Sequence, residues 1–211
     1  MDVPFRRAPA PCFFCDEMLG HLARYLRAAG FDTRLARDGW SDARIVREAA
    51  AEDRWVITLD RRMATEQQAA RRRIILLTDG LLDGHAATLT RRLGLDWLSH
   101  AFTRCLLDNS PLAAAEPHRP APYDLPPGAG DVKRCPTCDR FYWHGSHYRR
   151  MLGRLATWQA AERRESSGHR HECPSFGVLV HGSPVAPAGK IVHLDPDPPK
   201  PPDAVLRKPA H

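Results

Sequence analysis

Apolar residues in the first hundred positions fall into short runs separated by stretches with helical spacing. Residues 12–15 (CFFC) form one such run. Met18, Leu19, Leu22, Leu26 and Ala29 then lie on one helical face, and Gly30 follows where a helix-ending glycine belongs. Residues 33–36 predict a second strand. Ser41 is a good N-cap for a helix whose apolar stripe is Ile45, Val46, Ala49 and Ala50. Residues 55–59 (WVITL) are β-branched and aromatic, which predicts a strand. Residues 61–70 predict a helix. Residues 74–78 (IILLT) are almost wholly apolar, as in a strand buried on both faces, and a last helix covers about 85–93. Strand and helix alternate four times. The expectation is an α/β fold with a parallel sheet flanked by helices.

The pattern changes at Phe102. Residues 110–130 are rich in Pro, Ala and Gly and predict a connecting loop. Residues 135–148 are compact and aromatic. Residues 148–163 predict a basic helix, with Met151, Leu152, Leu155 and Trp158 near helical spacing. From about Glu165 no core-forming pattern appears, and prolines crowd residues 184–202. The segment 164–211 is therefore expected to be a mostly disordered tail, with 176–180 as one isolated strand candidate. The division is 12–101, 102–163 and 164–211, without internal repeats.

Composition adds a partner. The chain of 211 residues carries a formal net charge of +6, mostly as arginine, whose planar fork suits phosphate. No run of eighteen apolar residues occurs, so no membrane span is expected. The first 17 residues lack the apolar stretch of a signal peptide. Six cysteines, four of them in short-spaced pairs, predict cytosolic metal binding and not a disulfide framework. Cys12 and Cys15 would point to opposite faces of a strand and read as core.

Four aspartates stand at the ends of apolar runs or at a helix start: Asp16, Asp42, Asp60 and Asp79. In a parallel sheet such positions share the carboxyl edge, where ligands bind. Carboxylates gathered there need a cation, and oxygen-only ligands suit Mg²⁺ or Mn²⁺. Each residue also has an ordinary explanation. Asp16 and Asp42 can serve helix starts, and Asp79 before Gly80 can serve a turn. Asp60 has no evident cap or turn to serve. Asp32 and Asp83 read as surface or turn residues.

Residues 14–27 (FCDEMLGHLARYLR), Gly30-Phe31-Asp32-Thr33, Ala36-Arg37-Asp38 with Ser41-Asp42, and TLDRR at 58–62 resemble the Mut-seven C-terminal RNase family. RCLLDN at 104–109, CPTC at 135–138 and YWHGSH at 142–147 with Met151 continue the resemblance, which covers about 12–157. It implies a PIN-like nuclease domain followed by a zinc ribbon, and metal-dependent RNase activity. Asp16, Asp42 and Asp60 match its acidic positions; Asp79 matches more loosely.

Cys135 and Cys138 have the C-x₂-C spacing of a zinc knuckle. Cys105 is placed for the second knuckle, but Asp108 stands where the family pattern has cysteine. The fourth ligand is left open between Asp108, His144, His147 and one of His169, His171 and Cys173, with loss of the zinc as the further alternative. For RNA, expected to be single-stranded, the candidates are Arg24, Arg27, Arg61, Arg62, His147 and Arg150, with ribbon aromatics interleaved. Two functions stand against each other. One is a ribonuclease holding Mg²⁺ or Mn²⁺ on its carboxylates. The other is a non-catalytic RNA-binding adaptor using the ribbon and basic helix.

Overall fold

A computed structural model describes residues 10–66, 73–78, 80–115 and 131–168. The elements are β1 (Phe13–Cys15), a 3-10 turn (Glu17–Leu19), α1 (Gly20–Ala28), β2 (Thr33–Leu35), α2 (Asp42–Ala51), β3 (Trp55–Thr58), α3 (Arg61–Glu66), β4 (Ile74–Leu76) and α4 (Leu82–Leu93). There follow β5 (Ala113–Ala114), β6 (Lys133–Arg134), β7 (Phe141–Tyr142) and α5 (Ser146–Gly168).

The first four strands form one parallel sheet in the order β2-β1-β3-β4. Side chains of a strand alternate between faces, and here each face meets its own helices. Phe13, Cys15, Ile57 and Ile75 join the cluster of Leu22, Leu26, Ala86, Leu89 and Trp97. Phe14, Val56 and Ile74 join Ile45, Val46, Ala49 and Met63 on the other side. The sheet is covered on both faces, which is why its strands read as unbroken apolar runs.

Gly30 follows the end of α1 with φ +92°, and a Cβ there would lie 2.1 Å from the His100 carbonyl oxygen. The position needs glycine both for its backbone angle and for that close approach.

The second sheet is antiparallel, β5-β6-β7, pairing Ala113 with Arg134 and Lys133 with Tyr142. Its two-residue strands are too short to read from periodicity. α5 follows and lays Met151, Leu155 and Trp158 into the same cluster as Tyr25 and Trp97. The Trp158 ring centre lies 5.2 Å from that of Tyr25 and 4.9 Å from that of Trp97. Asp83, in the first turn of α4, accepts from Trp158 Nε1 at 2.8 Å and from Arg154 Nε at 3.0 Å. Asp83 is thus a helix-to-helix tether and not a simple surface residue.

Element ends shift by a few residues. The helix expected from Met18 opens as a 3-10 turn and becomes α-helical at Gly20. The helix expected at 85 starts at Leu82, and α5 extends to Gly168, into the segment read as tail. Residues 116–130 and 169–211, including the strand candidate at 176–180, lie outside the described residues, as does Asp79.

Candidate metal centres and nucleic-acid surface

Because β1 and β3 are parallel neighbours, their carboxyl ends deliver Asp16 and Asp60 to one edge of the sheet. Thr58, fully buried at the end of β3, ties them together. Its Oγ1 donates to Asp16 Oδ2 at 2.9 Å and accepts from the Asp60 backbone N–H at 2.9 Å. Asp16 Oδ1 also accepts from Glu17 N at 2.8 Å, the cap of the 3-10 turn. Asp60 Oδ1 accepts from Arg62 N at 2.6 Å and Met63 N at 3.3 Å, so it caps α3. The sequence reading gave Asp60 no such duty; the structure corrects that. Asp42 opens α2, whose N-cap is Ser41. These carboxylates do not form a tight cage. Among the described residues, only one group of three or more metal-binding side chains has ligating atoms within 4.8 Å of one another, and it lies in the ribbon.

That group is Cys105, Asp108, Cys135 and Cys138. Two similar turns build it. Asn109 N donates to Cys105 O, and Asp139 N donates to Cys135 O, both at 3.1 Å. Asn109 and Asp139 have φ of +73° and +64°, a left-handed conformation that Asn and Asp tolerate best among side-chain-bearing residues. Cys105 Sγ lies 3.6 Å from Cys138 Sγ, and Cys135 Sγ lies 3.2 Å from Asp108 Oδ2. A zinc tetrahedron with ordinary bond lengths has S–S edges of about 3.8 Å and S–O edges of about 3.5 Å. The donor set and its spacing therefore fit a zinc-like ion, with no cysteine of the group in a disulfide. Asp108 fills the fourth place that the sequence left open. His144 stacks instead on Tyr148, with ring centres 4.4 Å apart, and His147 is not in the group. His169, His171 and Cys173 lie outside the described residues.

Neighbours prepare the ligands. Burial would raise the Asp108 carboxyl, but hydrogen bonds from Cys138, Ser110 and Cys135 hold it well below the usual carboxylate range. Desolvation and the hydrogen bond to Asp108 push the metal-free Cys138 thiol up to about 12. Tyr142 Oη accepts from Leu106 N at 3.1 Å and shares a second hydrogen bond with Cys105 Sγ, also at 3.1 Å. Such outer bonds orient a metal ligand.

Of the expected RNA contacts, Arg24, Arg61, Arg62, His147 and Arg150 are exposed. Burial lowers the affinity of His147 for its proton, and the charges of Arg24 and Arg150 lower it further. Residues of α1 and α5 therefore share one cationic patch. Arg27 does not belong to it. Only 5% exposed, it donates from Nε to Thr33 O at 2.8 Å and from Nη1 to Leu106 O at 3.1 Å and Leu107 O at 2.7 Å. Burial draws its guanidinium below the ordinary value, opposed by the charges of Cys15, Cys105, Asp108 and Asp32. The spacing held a warning, since Arg27 follows the buried Ala23 by one helical turn.

Asp32 is likewise more than a surface or turn residue. Its Oδ1 accepts from Arg54 Nη1 at 2.6 Å and from Asn109 Nδ2 at 2.8 Å, while Oδ2 pairs with Arg104 at 3.3 Å. Asn109 Oδ1 in turn accepts from Thr33 N at 2.9 Å. This network binds the first ribbon turn to the sheet.

A family model described as the Mut7-C RNAse domain matches residues 11–155. No curated protein and no solved structure matches the chain. The match runs from just before β1 into α5 and takes in the carboxylate edge and the cysteine cluster alike. The chain belongs to the Mut7-C RNAse domain family, a membership that implies a nuclease-like function with RNA as the substrate class.

Proposed function

We propose that the protein is a divalent-metal-dependent ribonuclease whose reaction takes place at the carboxyl edge of the parallel sheet. The observation that carries this reading is the Thr58 hydroxyl joining Asp16 to Asp60 across adjacent strands. Asp42 and Asp79 complete the acidic set. Mg²⁺ or Mn²⁺, when bound, would neutralise the carboxylates and activate water for in-line attack on a phosphodiester. The chain's own part is to hold Asp16 and Asp60 in register through Thr58 and to bring phosphate in along basic residues. Arg61 and Arg62 stand beside Asp60, and Arg24, His147 and Arg150 extend the path toward the ribbon. Ribbon aromatics offer faces on which unpaired bases stack, which favours single-stranded RNA. The thiolate cluster holds Zn²⁺ as a structural ion.

One observation favours the adaptor reading. Asp16 and Asp60 already serve as caps, and a carboxylate that caps a helix needs no cation. Asp60→Asn separates the two readings, because asparagine caps a helix as well as aspartate does. Purified protein is incubated with labelled single-stranded RNA or DNA, with and without Mn²⁺. The nuclease reading expects Mn²⁺-dependent RNA cleavage that Asp60→Asn abolishes without lowering the melting temperature. Unchanged turnover in the variant removes Asp60 from the reaction. RNA binding that ignores EDTA, with no cleavage in added Mn²⁺, supports the adaptor.

A further inference from the structure

Arg27 is a buried cation whose hydrogen bonds, among the described residues, go to carbonyl oxygens. Burial of a full charge against neutral acceptors is costly unless an opposite charge lies near. Asp32, a carboxylate whose charge also acts on Arg27, is already bonded to Arg54, Arg104 and Asn109. Two of the Arg27 acceptors, Leu106 O and Leu107 O, sit between the ligand positions Cys105 and Asp108. Thiols lose their protons when they bind a metal. Three thiolates and one carboxylate around a divalent ion leave two surplus negative charges on the centre.

We propose that Arg27 is the built-in counter-charge of the ribbon's metal centre, a positioning residue that couples metal occupancy to the nuclease sheet. Its guanidinium fixes the carbonyls of the first ribbon turn, so that Cys105 and Asp108 face the ion. It also offsets the surplus negative charge that ion binding creates. The third acceptor, Thr33 O at the start of β2, carries the effect into the sheet. By linkage, a group that favours the bound centre is itself held more firmly once the centre is occupied. The proposal rests on the thiolate cluster binding metal and is independent of whether the carboxylate edge cleaves RNA.

The test uses the full chain and Co²⁺, whose ligand-field and sulfur-to-metal bands report tetrahedral thiolate binding. Arg27→Gln keeps an amide donor and removes the charge; Arg27→Lys keeps the charge and alters the donors. The expected result is an affinity at least about tenfold weaker in Arg27→Gln, with its sulfur-to-cobalt band moved to lower energy. Arg27→Lys should stay within about threefold of the unaltered protein. Equal losses in both variants would make Arg27 a neutral brace, and unchanged affinity and band in Arg27→Gln would remove it from the centre; either overturns the proposal. If Arg27→Gln does not fold, hydrogen exchange of the unaltered protein with and without Zn²⁺ decides. Added protection in Gly20–Ala28 and Thr33–Leu35 supports the coupling, and protection confined to residues 105–142 refutes it. Absence of Co²⁺ binding by the unaltered chain refutes it as well.

Discussion

The two candidate metal centres are built on opposite principles. In the ribbon, four ligating atoms stand within 4.8 Å of one another before any ion is considered. At the sheet edge, Thr58 connects Asp16 to Asp60, and one oxygen of each carboxylate is engaged with backbone N–H groups. The chemistry of the donors accounts for the contrast. Neutral thiols are weak hydrogen-bonding groups and can be crowded together by two tight turns. Carboxylates repel one another and are strong acceptors, so each is satisfied by the nearest helix start. One set of donors is assembled by the fold; at the other, each carboxylate is tied to its own helix start.

The sharpest attack on that contrast is Cys135→Ser. Cys135 is fully buried, and its loss should abolish stoichiometric zinc, read by elemental analysis. It should also cost about 4 kcal/mol or more in chemical denaturation, the range of a lost structural metal. A zinc-replete variant of unchanged stability would show that the cluster is not a structural site. Next comes Asp60→Asn. Cleavage should fall by on the order of 10²-fold or more, the scale of a lost electrostatic group in a reaction site. The ribbon's zinc content should not change, since the centres are separate.

Thr58→Val probes the link itself. It strips Asp16 Oδ2 and Asp60 N of a shared partner; Asp16 is half-buried and Asp60 exposed, so water replaces part of the loss and the cost is about 1 kcal/mol. Thermal denaturation should register that loss, with cleavage falling less than in Asp60→Asn. If Thr58→Val and Asp60→Asn cost the same activity, the hydroxyl and the carboxylate act as one unit. The smallest effect concerns the seam between the regions. Burial raises the Asp32 carboxyl, but bonds from Arg54 and Asn109 and the charges of Arg54 and Arg104 leave it below its ordinary value. Its stabilisation is therefore complete above the unfolded value of about 3.9 and fades as pH falls through the lower folded value. In Asp32→Asn this acid-dependent loss below pH of about 4 should shrink, as a pH series of melting temperatures would show.

Local pattern was enough where a residue's role is decided by its neighbours in sequence. The four apolar runs are the four strands of the parallel sheet, and Gly30 ends the first helix. The C-x₂-C spacing of Cys135 and Cys138 marked the second ribbon turn. Pattern failed where the partner is distant. Asp83 meets Trp158 on a helix 75 positions away, and Asp32 meets Asn109 at 77. Neither distance leaves a local trace. Arg27 was misplaced for a related reason: an arginine on an amphipathic helix invites a surface role, and only the ribbon folding back supplies its carbonyl acceptors. The cap at Asp60 is legible in the sequence, since an aspartate directly before a helix is a favoured N-cap. The choice of Asp108 over the histidines depended on turn geometry, which spacing alone does not encode.

Trp158 ends where motif boundaries and packing boundaries part company. A fragment stopped at residue 101 would keep every strand of the parallel sheet and all of its acidic residues. It would still leave Tyr25 and Trp97 without the aromatic ring that now covers them. Freed of that cover, two large apolar surfaces would meet water, and the shortened chain would be prone to self-association. The ribbon's helix thus covers part of the parallel sheet's own core, and excision at residue 101 wounds the part it was meant to isolate.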